Sequence, residues 1–314
     1  MPGAGEAPYS YLANVRETRA TLARFGLVTK HRLGQNFLVS DAVVGKILGL
    51  AELVGDDVVL EVGPGIGTLT VALLARAREV IAIEADRALE PVLATTCAQD
   101  AERLTLLWGD ALRLVPLVPS AVVAPIGSPS PPSSSPSSFS GVGSVPNKLV
   151  SNLPYQVAAT LILKLLQELP SVGRLVVMVQ AEVADRICAG PGSRVYGAYT
   201  AKLALWGQVT GHFEVGRGSF LPPPHVDSTV VRIDRALMAD PKTGLDLTPS
   251  QLDWVAHVID ASFAQRRKTI RNSLSAGGFE RSRLDEAFAR SDIAPTTRAE
   301  SLSPSDFVRL ADAL

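Results

Sequence analysis

The residues best suited to chemistry in this chain are Asn152-Leu153-Pro154-Tyr155, which follow the apolar run Lys148-Leu149-Val150-Ser151. An amide oxygen, a backbone carbonyl beside a proline-fixed neighbour and an aromatic ring stand together where a strand should end. Two such acceptors can hold the hydrogens of an exocyclic amine while the ring stacks on the heterocycle that carries it. The amine lone pair is delocalised into that heterocycle. Drawing its hydrogens toward two acceptors moves the nitrogen toward tetrahedral geometry and exposes the lone pair. Catalysis is then mainly orientation and hydrogen bonding, and a sulfonium leaving group removes the need for a strong base. Taken alone, the segment also reads as an Asn-x-Pro turn with a core tyrosine.

A glycine-rich stretch, Glu61-Val62-Gly63-Pro64-Gly65-Ile66-Gly67, lies upstream. Gly63, Gly65 and Gly67 follow an expected strand and open an expected helix. Glycine there lets the backbone approach a ligand closely, and the helix start offers free N–H groups. The spacing is G-x-G-x-G, not the G-x-G-x-x-G of dinucleotide sites. Glu84 ends the next expected strand, where a carboxylate can accept both hydroxyls of a ribose. Asp110, in Trp108-Gly109-Asp110-Ala111, follows the third strand, where it can accept from an adenine amino group. Three strand-end features in order describe a nucleoside pocket, and with the amine clamp they suggest a methyl donor beside a methyl acceptor. A nicotinamide cofactor is the competing occupant, but it leaves Asn152 to Tyr155 without a role. Phe220-Leu221-Pro222-Pro223-Pro224 is a stiff extended segment in which Phe220 offers a second stacking face or merely braces a loop. A target base inside structured nucleic acid has to be unpaired or flipped out to reach such a pocket.

These residues require an α/β frame. Buried-strand patterns are expected over 58–62, 79–84, 104–108, 148–153 and 174–179. Helices are expected over 68–76, 87–97, 157–169 and 181–189. Strands alternating with helices predict a parallel sheet. Residues 201–215 and 226–234 read as a closing antiparallel hairpin. Upstream, apolar spacing up to Gly26 predicts a helix, preceded by a disordered stretch over 1–10. A basic connector with Lys30, His31 and Arg32 comes next, then a helix capped by Ser40 or Asp41 and running to about residue 51. Residues 116–146 hold eight prolines, ten serines and no charge, and read as a mobile surface insertion. After a linker over 237–247, helices are expected over 249–261, 263–275, 281–290 and 304–313. The expected domains are a flexible segment and helix over 1–30, a sheet domain over 31–236 and a helical domain over 237–314.

Composition narrows the function class. The chain has 314 residues, is 46% hydrophobic and 19% charged, and carries a formal net charge of -1. That balance excludes a globally basic nucleic-acid footprint, so any such surface must be local. The two cysteines, Cys97 and Cys188, have neither disulfide-framework nor metal-ligand spacing, and no metal is expected. No signal-like or membrane-spanning stretch is visible, which suggests a cytoplasmic protein without membrane partners.

The motifs resemble those of the ribosomal RNA adenine dimethyltransferases, most closely the small-subunit type, from about Phe25 to Leu310 without the insertion. They are Gly34-Gln35-Asn36-Phe37-Leu38, the E-V-G-P-G-I-G-T-L-T run at 61–70, Asn152-Leu153-Pro154-Tyr155, the F-L-P-P-P-H-V-D-S run at 220–228 and the Q-R-R-K-T-I-R-N-S-L run at 265–274. The resemblance implies a Rossmann-like class I methyltransferase sheet with a small C-terminal all-α domain, and S-adenosylmethionine as donor. It implies donor contacts at Gln35, Asn36, Leu38, Gly63, Gly65, Gly67, Glu84, Ala85, Asp110, Ala111 and Asn152. Asn152, Leu153, Pro154 and Tyr155 become the acceptor clamp, and Phe220 the second stacker. It also implies a monomer that methylates N6 of two adjacent adenines near the 3′ end of small-subunit ribosomal RNA, twice each, on precursor particles. The insertion lies outside the family core, and His225 stands where a lysine is common.

The expected RNA surface is a basic helix over 262–274 with Arg266, Arg267, Lys268 and Arg271 and no acid, which can neutralise phosphates. The same arginines can instead serve as packing within the fold. Lys30, Arg32 and Arg194 are weaker candidates. Two rival functions stand beside the main one: a large-subunit RNA methyltransferase of the antibiotic-resistance type, and a non-catalytic assembly factor that kept the fold. The intact clamp argues against the second. DNA adenine methylation is disfavoured by the C-terminal match.

Overall fold

A computed structural model describes residues 7–27, 35–118, 144–265 and 267–314. Most of the insertion, Lys30, His31, Arg32, Gly34 and Arg266 fall outside the described residues. The chain divides into two compact units, Met1–Ala181 with Thr210–Ile233, and Glu182–Val209 with Asp234–Leu314. No helix among the described residues is long and apolar enough to cross a membrane.

The first unit begins with helix α1 (Val15–Arg24), capped by the Asn14 side chain and ended by Gly26 at φ 61°. Residues 7–10 correct the expectation of disorder: the Tyr9 and Ser10 amides donate to the Asp41 carboxylate at 3.2 and 2.9 Å. Strand β1 (Phe37–Leu38) leads into α2 (Asp41–Ala51). Four strand–helix units follow: β2 (Val58–Val62) and α3 (Thr68–Leu74), β3 (Glu79–Glu84) and α4 (Glu90–Thr96), β4 (Leu104–Trp108) and α5 (Ala111–Leu114), β5 (Lys148–Asn152) and α6 (Ala158–Glu168). Strand β6 (Arg174–Gln180) runs directly into α7 (Ala181–Ile187), which is followed by α8 (Ala198–Leu203), β7 (Gly207–Val215), β8 (Phe220–Leu221) and β9 (Ser228–Arg235).

Seven strands form one sheet in the order β4-β3-β2-β5-β6-β9-β7, with β4-β3-β2-β5-β6 all parallel. Strand β2 is buried along its whole length, as a strand covered on both faces must be. Helix α6 buries Leu161, Ile162, Leu165 and Leu166 completely, each contributing roughly 1.5–3 kcal/mol of transfer free energy.

The strand order reverses between β2 and β5, which opens a crevice at their carboxyl ends. The two strands pair at Val59–Lys148 and Leu60–Leu149. Beyond those pairs Ser151 holds the ends together: its hydroxyl donates to the Val62 carbonyl at 2.6 Å and accepts from the Val62 amide at 3.3 Å. At the opposite end, Asp57 is buried and accepts from Val54 N, Asn147 Nδ2 and Lys148 Nζ, which fixes the strand starts.

The expected hairpin strand over 201–215 is corrected at its start. The AYTAKL run, rich in good helix formers, makes α8, and the strand begins at Gly207. Residues 182–209 also fall in the second unit, not with the sheet as the boundary at 237 implied. Non-local ties account for this: Tyr196 Oη donates to the Leu302 carbonyl at 3.0 Å, and Lys202 pairs with Asp260 at 2.7 Å.

The second unit also holds α9 (Pro249–Phe263), α10 (Ile270–Ala276), α11 (Arg281–Ser291) and α12 (Pro304–Ala313). Capping boxes at Thr248/Gln251 and Ser303/Asp306 start α9 and α12.

The insertion enters after Val118, which is fully buried, and the chain is anchored again at Asn147, whose Oδ1 accepts from the Val58 amide at 2.9 Å. Deleting residues 120–143 is therefore expected to shift the melting temperature by no more than about 2 °C and to leave methyl transfer intact. A thermal melt and a methylation assay on the shortened chain check this; a large loss in either would give the insertion a structural or functional role.

Candidate active site

A cavity of about 320 Å³ occupies the crevice. Gln35, Asn36, Leu38, Gly63, Gly65, Glu84, Ala85, Asp110, Ala111, Asn152, Leu153, Pro154 and Tyr155 all line it. The structure thus brings together all but two of the cavity residues expected from sequence. Gly67 stands just outside the lining as the N-cap of α3. Phe220 does not reach the wall at all. It is 3% exposed, sits in the apolar core and pairs with Leu38 in the short β1–β8 ladder. Its backbone ladder holds the Phe37–Leu38 strand, and its buried ring is not part of the cavity lining.

The turn after β2 needs its glycines. Gly63 has φ 75°, a region L residues rarely adopt, and a Cβ there would lie 3.4 Å from the Pro154 ring. Gly65 has φ 61°, and its Cβ would come within 3.2 Å of the Phe37 ring. The donor-side turn therefore packs directly on the clamp proline.

Glu84 is buried and held by the backbone. Its Oε1 accepts from the Asp86 amide at 2.9 Å and its Oε2 from the Gly65 amide at 3.2 Å. Burial pushes its carboxyl above the usual range, and these amides pull it back. The carboxylate faces the cavity and keeps acceptor capacity for a hydroxyl. Asp86, which sequence reasoning passed over, also accepts from Gln35 Nε2 at 3.0 Å and so ties the Gln35–Leu38 segment to the end of β3. Asp110 caps α5 through Oδ1, which accepts from the Leu112 amide at 2.9 Å; Oδ2 lies 4.0 Å from Arg113 Nε in an exposed pair and can also accept from an amino group.

On the acceptor side, Asn152 ends β5 in register with Met178, and the Leu153 amide donates to the Met178 carbonyl at 3.1 Å. The clamp peptide is thereby fixed to the sheet. Tyr155 is half-buried, and its hydroxyl lies 2.7 Å from Ser228 Oγ at the start of β9. Burial raises the phenol above its ordinary range, so the ring is a neutral stacking surface.

Glu61 was not singled out from the sequence as a site residue, although a carboxylate inside the apolar strand V-V-L-E-V is a visible signal. It lines the cavity, is 1% exposed, and its Oε2 has no hydrogen-bond partner among the described residues. Burial drives its pKa up to about 8; the Thr70 hydroxyl opposes this and the Glu84 carboxylate adds to it. Folding keeps Glu61 protonated, so its stabilising contribution is full below the ordinary value of 4.5 and is lost as pH rises through about 8. Glu61→Gln should flatten the fall in stability across that window, which reaches about 1.4 kcal/mol per pH unit. Denaturant unfolding of both proteins without donor, at several pH values, checks it; parallel stability curves would contradict the assignment.

The expected basic helix is corrected. Helix α9 ends at Phe263 and α10 begins at Ile270, because Thr269 caps a new helix by accepting from the Asn272 amide. Arg267 and Lys268 lie exposed in that break. Arg271 pairs with Asp285 on α11 at 2.6 Å, a partly exposed tie within the helical unit.

The sequence profile of the family described as ribosomal RNA adenine dimethylase matches residues 26–314. Among similar proteins, "Ribosomal RNA small subunit methyltransferase A" of Rhodococcus erythropolis is 40% identical over 299 residues, covering 94% of this chain and 91% of its own length. Its namesake in Acidothermus cellulolyticus is 39% identical, covering 96% and 93%. The crystal structure of a dimethyladenosine transferase from Plasmodium falciparum superposes with a TM-score of 0.66 at 24% identity over 87% of this chain and 95% of that one. That of the 23S rRNA methyltransferase ErmE superposes with a TM-score of 0.59 at 23% identity over 89% and 99%. The two structures establish the methyltransferase fold. Match length and identity together settle the relationship: this enzyme belongs to the ribosomal RNA adenine dimethylase family.

Proposed function

We propose that the chain transfers methyl groups from S-adenosylmethionine to N6 of two adjacent adenines near the 3′ end of small-subunit ribosomal RNA, giving N6,N6-dimethyladenosine. The observation that carries this reading is a single cavity lined by both the glycine turn and Asn152 to Tyr155, with Gly63 packed on Pro154. The small-subunit substrate rests on the names of relatives near 40% identity. The reading includes a monomer working on precursor particles in the cytoplasm.

The cavity residues fit such a donor. Glu84 offers acceptors for ribose hydroxyls, and Asp110 Oδ2 for the adenine amino group. The orphaned Glu61 Oε2 is a hydrogen-bond acceptor for an N–H of the amino-acid end. When bound, the donor supplies an electrophilic methyl on sulfonium sulfur. Asn152 Oδ1 and the Leu153 carbonyl accept the target N6 hydrogens and turn its lone pair toward that methyl, while Tyr155 stacks on the base. Ser228 fixes the Tyr155 ring. As the N–CH3 bond forms and the S–CH3 bond breaks, the cationic nitrogen releases one proton to solvent; a single N–H remains, and one acceptor still orients the nitrogen for the second transfer.

Incubation with labelled donor and undermethylated small subunits, large subunits and duplex DNA in parallel tests the substrate. Label confined to small-subunit RNA supports the reading. Label in large-subunit RNA instead would move the protein to the resistance type.

A further inference from the structure

A second cavity, of about 340 Å³, lies wholly within the helical unit, between α9, the end of α10 and the start of α11. Trp254, His257 and Phe279 line it as one aromatic cluster. The Trp254 and His257 rings stack at 5.6 Å and 24°, and Phe279 lies 5.9 Å from Trp254. Trp254 is 41% exposed, an unusual setting for the largest apolar side chain. Its indole is nevertheless fixed in place, because Nε1 donates to the Ala311 carbonyl at 2.8 Å. Gly278, at φ 95°, has open space where a Cβ would stand and keeps the cavity clear.

Two charged groups complete the lining. The exposed Arg283 guanidinium lies 4.0 Å from the Glu280 carboxylate, whose other oxygen accepts from Ser282 Oγ at 2.7 Å. A rigid aromatic face, a carboxylate acceptor and a guanidinium in one cavity match the three parts of a nucleotide. The ring stacks, an exocyclic amino group donates to Glu280, and the phosphate meets Arg283. Arg281, exposed on the same first turn of α11, adds positive charge. An apolar peptide would use the rings but not the charged pair.

We propose that this cavity binds one unpaired nucleotide of ribosomal RNA, with its base on Trp254 and its phosphate on Arg283. The proposal rests on the reading of the chain as an RNA-modifying enzyme. It assigns RNA affinity to the helical unit at residues outside the basic 264–271 stretch.

The test measures binding of a short, unpaired, mixed-sequence oligoribonucleotide to the full chain by fluorescence anisotropy and tryptophan quenching, with a thermal melt of each variant. Trp254→Leu is expected to weaken binding about tenfold and abolish the quenching. Trp254→Phe, which loses the same Ala311 hydrogen bond but keeps a ring, should recover most of the affinity. Arg283→Glu should weaken binding similarly and reduce the logarithmic salt slope by about one. Unchanged affinity in the Leu and Glu variants, or quenching that survives Trp254→Leu, would overturn the proposal. A wild-type chain that ignores the oligonucleotide yet methylates small subunits would also overturn it while leaving the function standing. RNA binding lost with Trp254, in a chain that methylates nothing, would sink the function and keep this site.

Discussion

Asn152→Ala is expected to lower kcat for methyl transfer by about 10²–10³-fold while donor affinity changes less than about tenfold. The magnitude is that of removing one preorganised hydrogen-bonding group aimed at the reacting atom. In the proposed clamp Asn152 contributes one of the two acceptors for the N6 hydrogens. Without it the amine keeps its lone pair in the ring, and transfer falls back on proximity alone. The fold should survive, because β5 pairs with β6 through backbone groups and the Leu153 amide still reaches Met178. Donor titration by calorimetry and single-turnover transfer separate the two quantities. Turnover within tenfold of wild type would remove Asn152 from the clamp.

Gly63→Val should do comparable damage by a different route. At φ 75° a β-branched residue is strained by roughly 1–3 kcal/mol, and its side chain would grow from a point already 3.4 Å from the Pro154 ring. The turn cannot move away freely, because the Gly63 amide donates to the Ile83 carbonyl at 2.8 Å and Gly65 donates to Glu84. Strain therefore spreads into both halves of the site. Donor affinity should fall about 100-fold, equivalent to about 2.7 kcal/mol, and residual transfer should fall further than donor saturation can restore. If saturating donor restores full kcat, the turn and the clamp are not mechanically coupled.

What could be read ahead of the structure follows from how local each feature is. Gly63, Gly65, Glu84, Asp110 and Asn152 line one cavity because each sits at the end of a short apolar strand, and parallel strands deliver their carboxyl ends to one edge. Features set by distant partners were not accessible. The β1–β8 ladder joins two-residue strands far apart in sequence, so an aromatic in a proline-rich segment, Phe220, read equally well as a site residue or a core residue. Residues 182–209 join the helical unit through ties such as Tyr196 to Leu302, which no window of sequence contains. The basic run over 262–274 has a helical apolar period on both sides of its break, and the capping Thr269 decided against continuity. The exposed ring stack at Trp254 and His257 has helical i,i+3 spacing, but its cavity depends on Phe279 and Gly278 arriving from the turn after α10.

Product identity tests the central claim most directly. Undermethylated small subunits would be incubated with S-adenosylmethionine and the wild-type chain, and the 3′-terminal fragment of their RNA analysed by mass spectrometry. The account predicts N6,N6-dimethyladenosine at two adjacent adenines and at no other position. Monomethyl product alone, methylation at another atom, or an unmodified fragment from an enzyme that binds donor would contradict it.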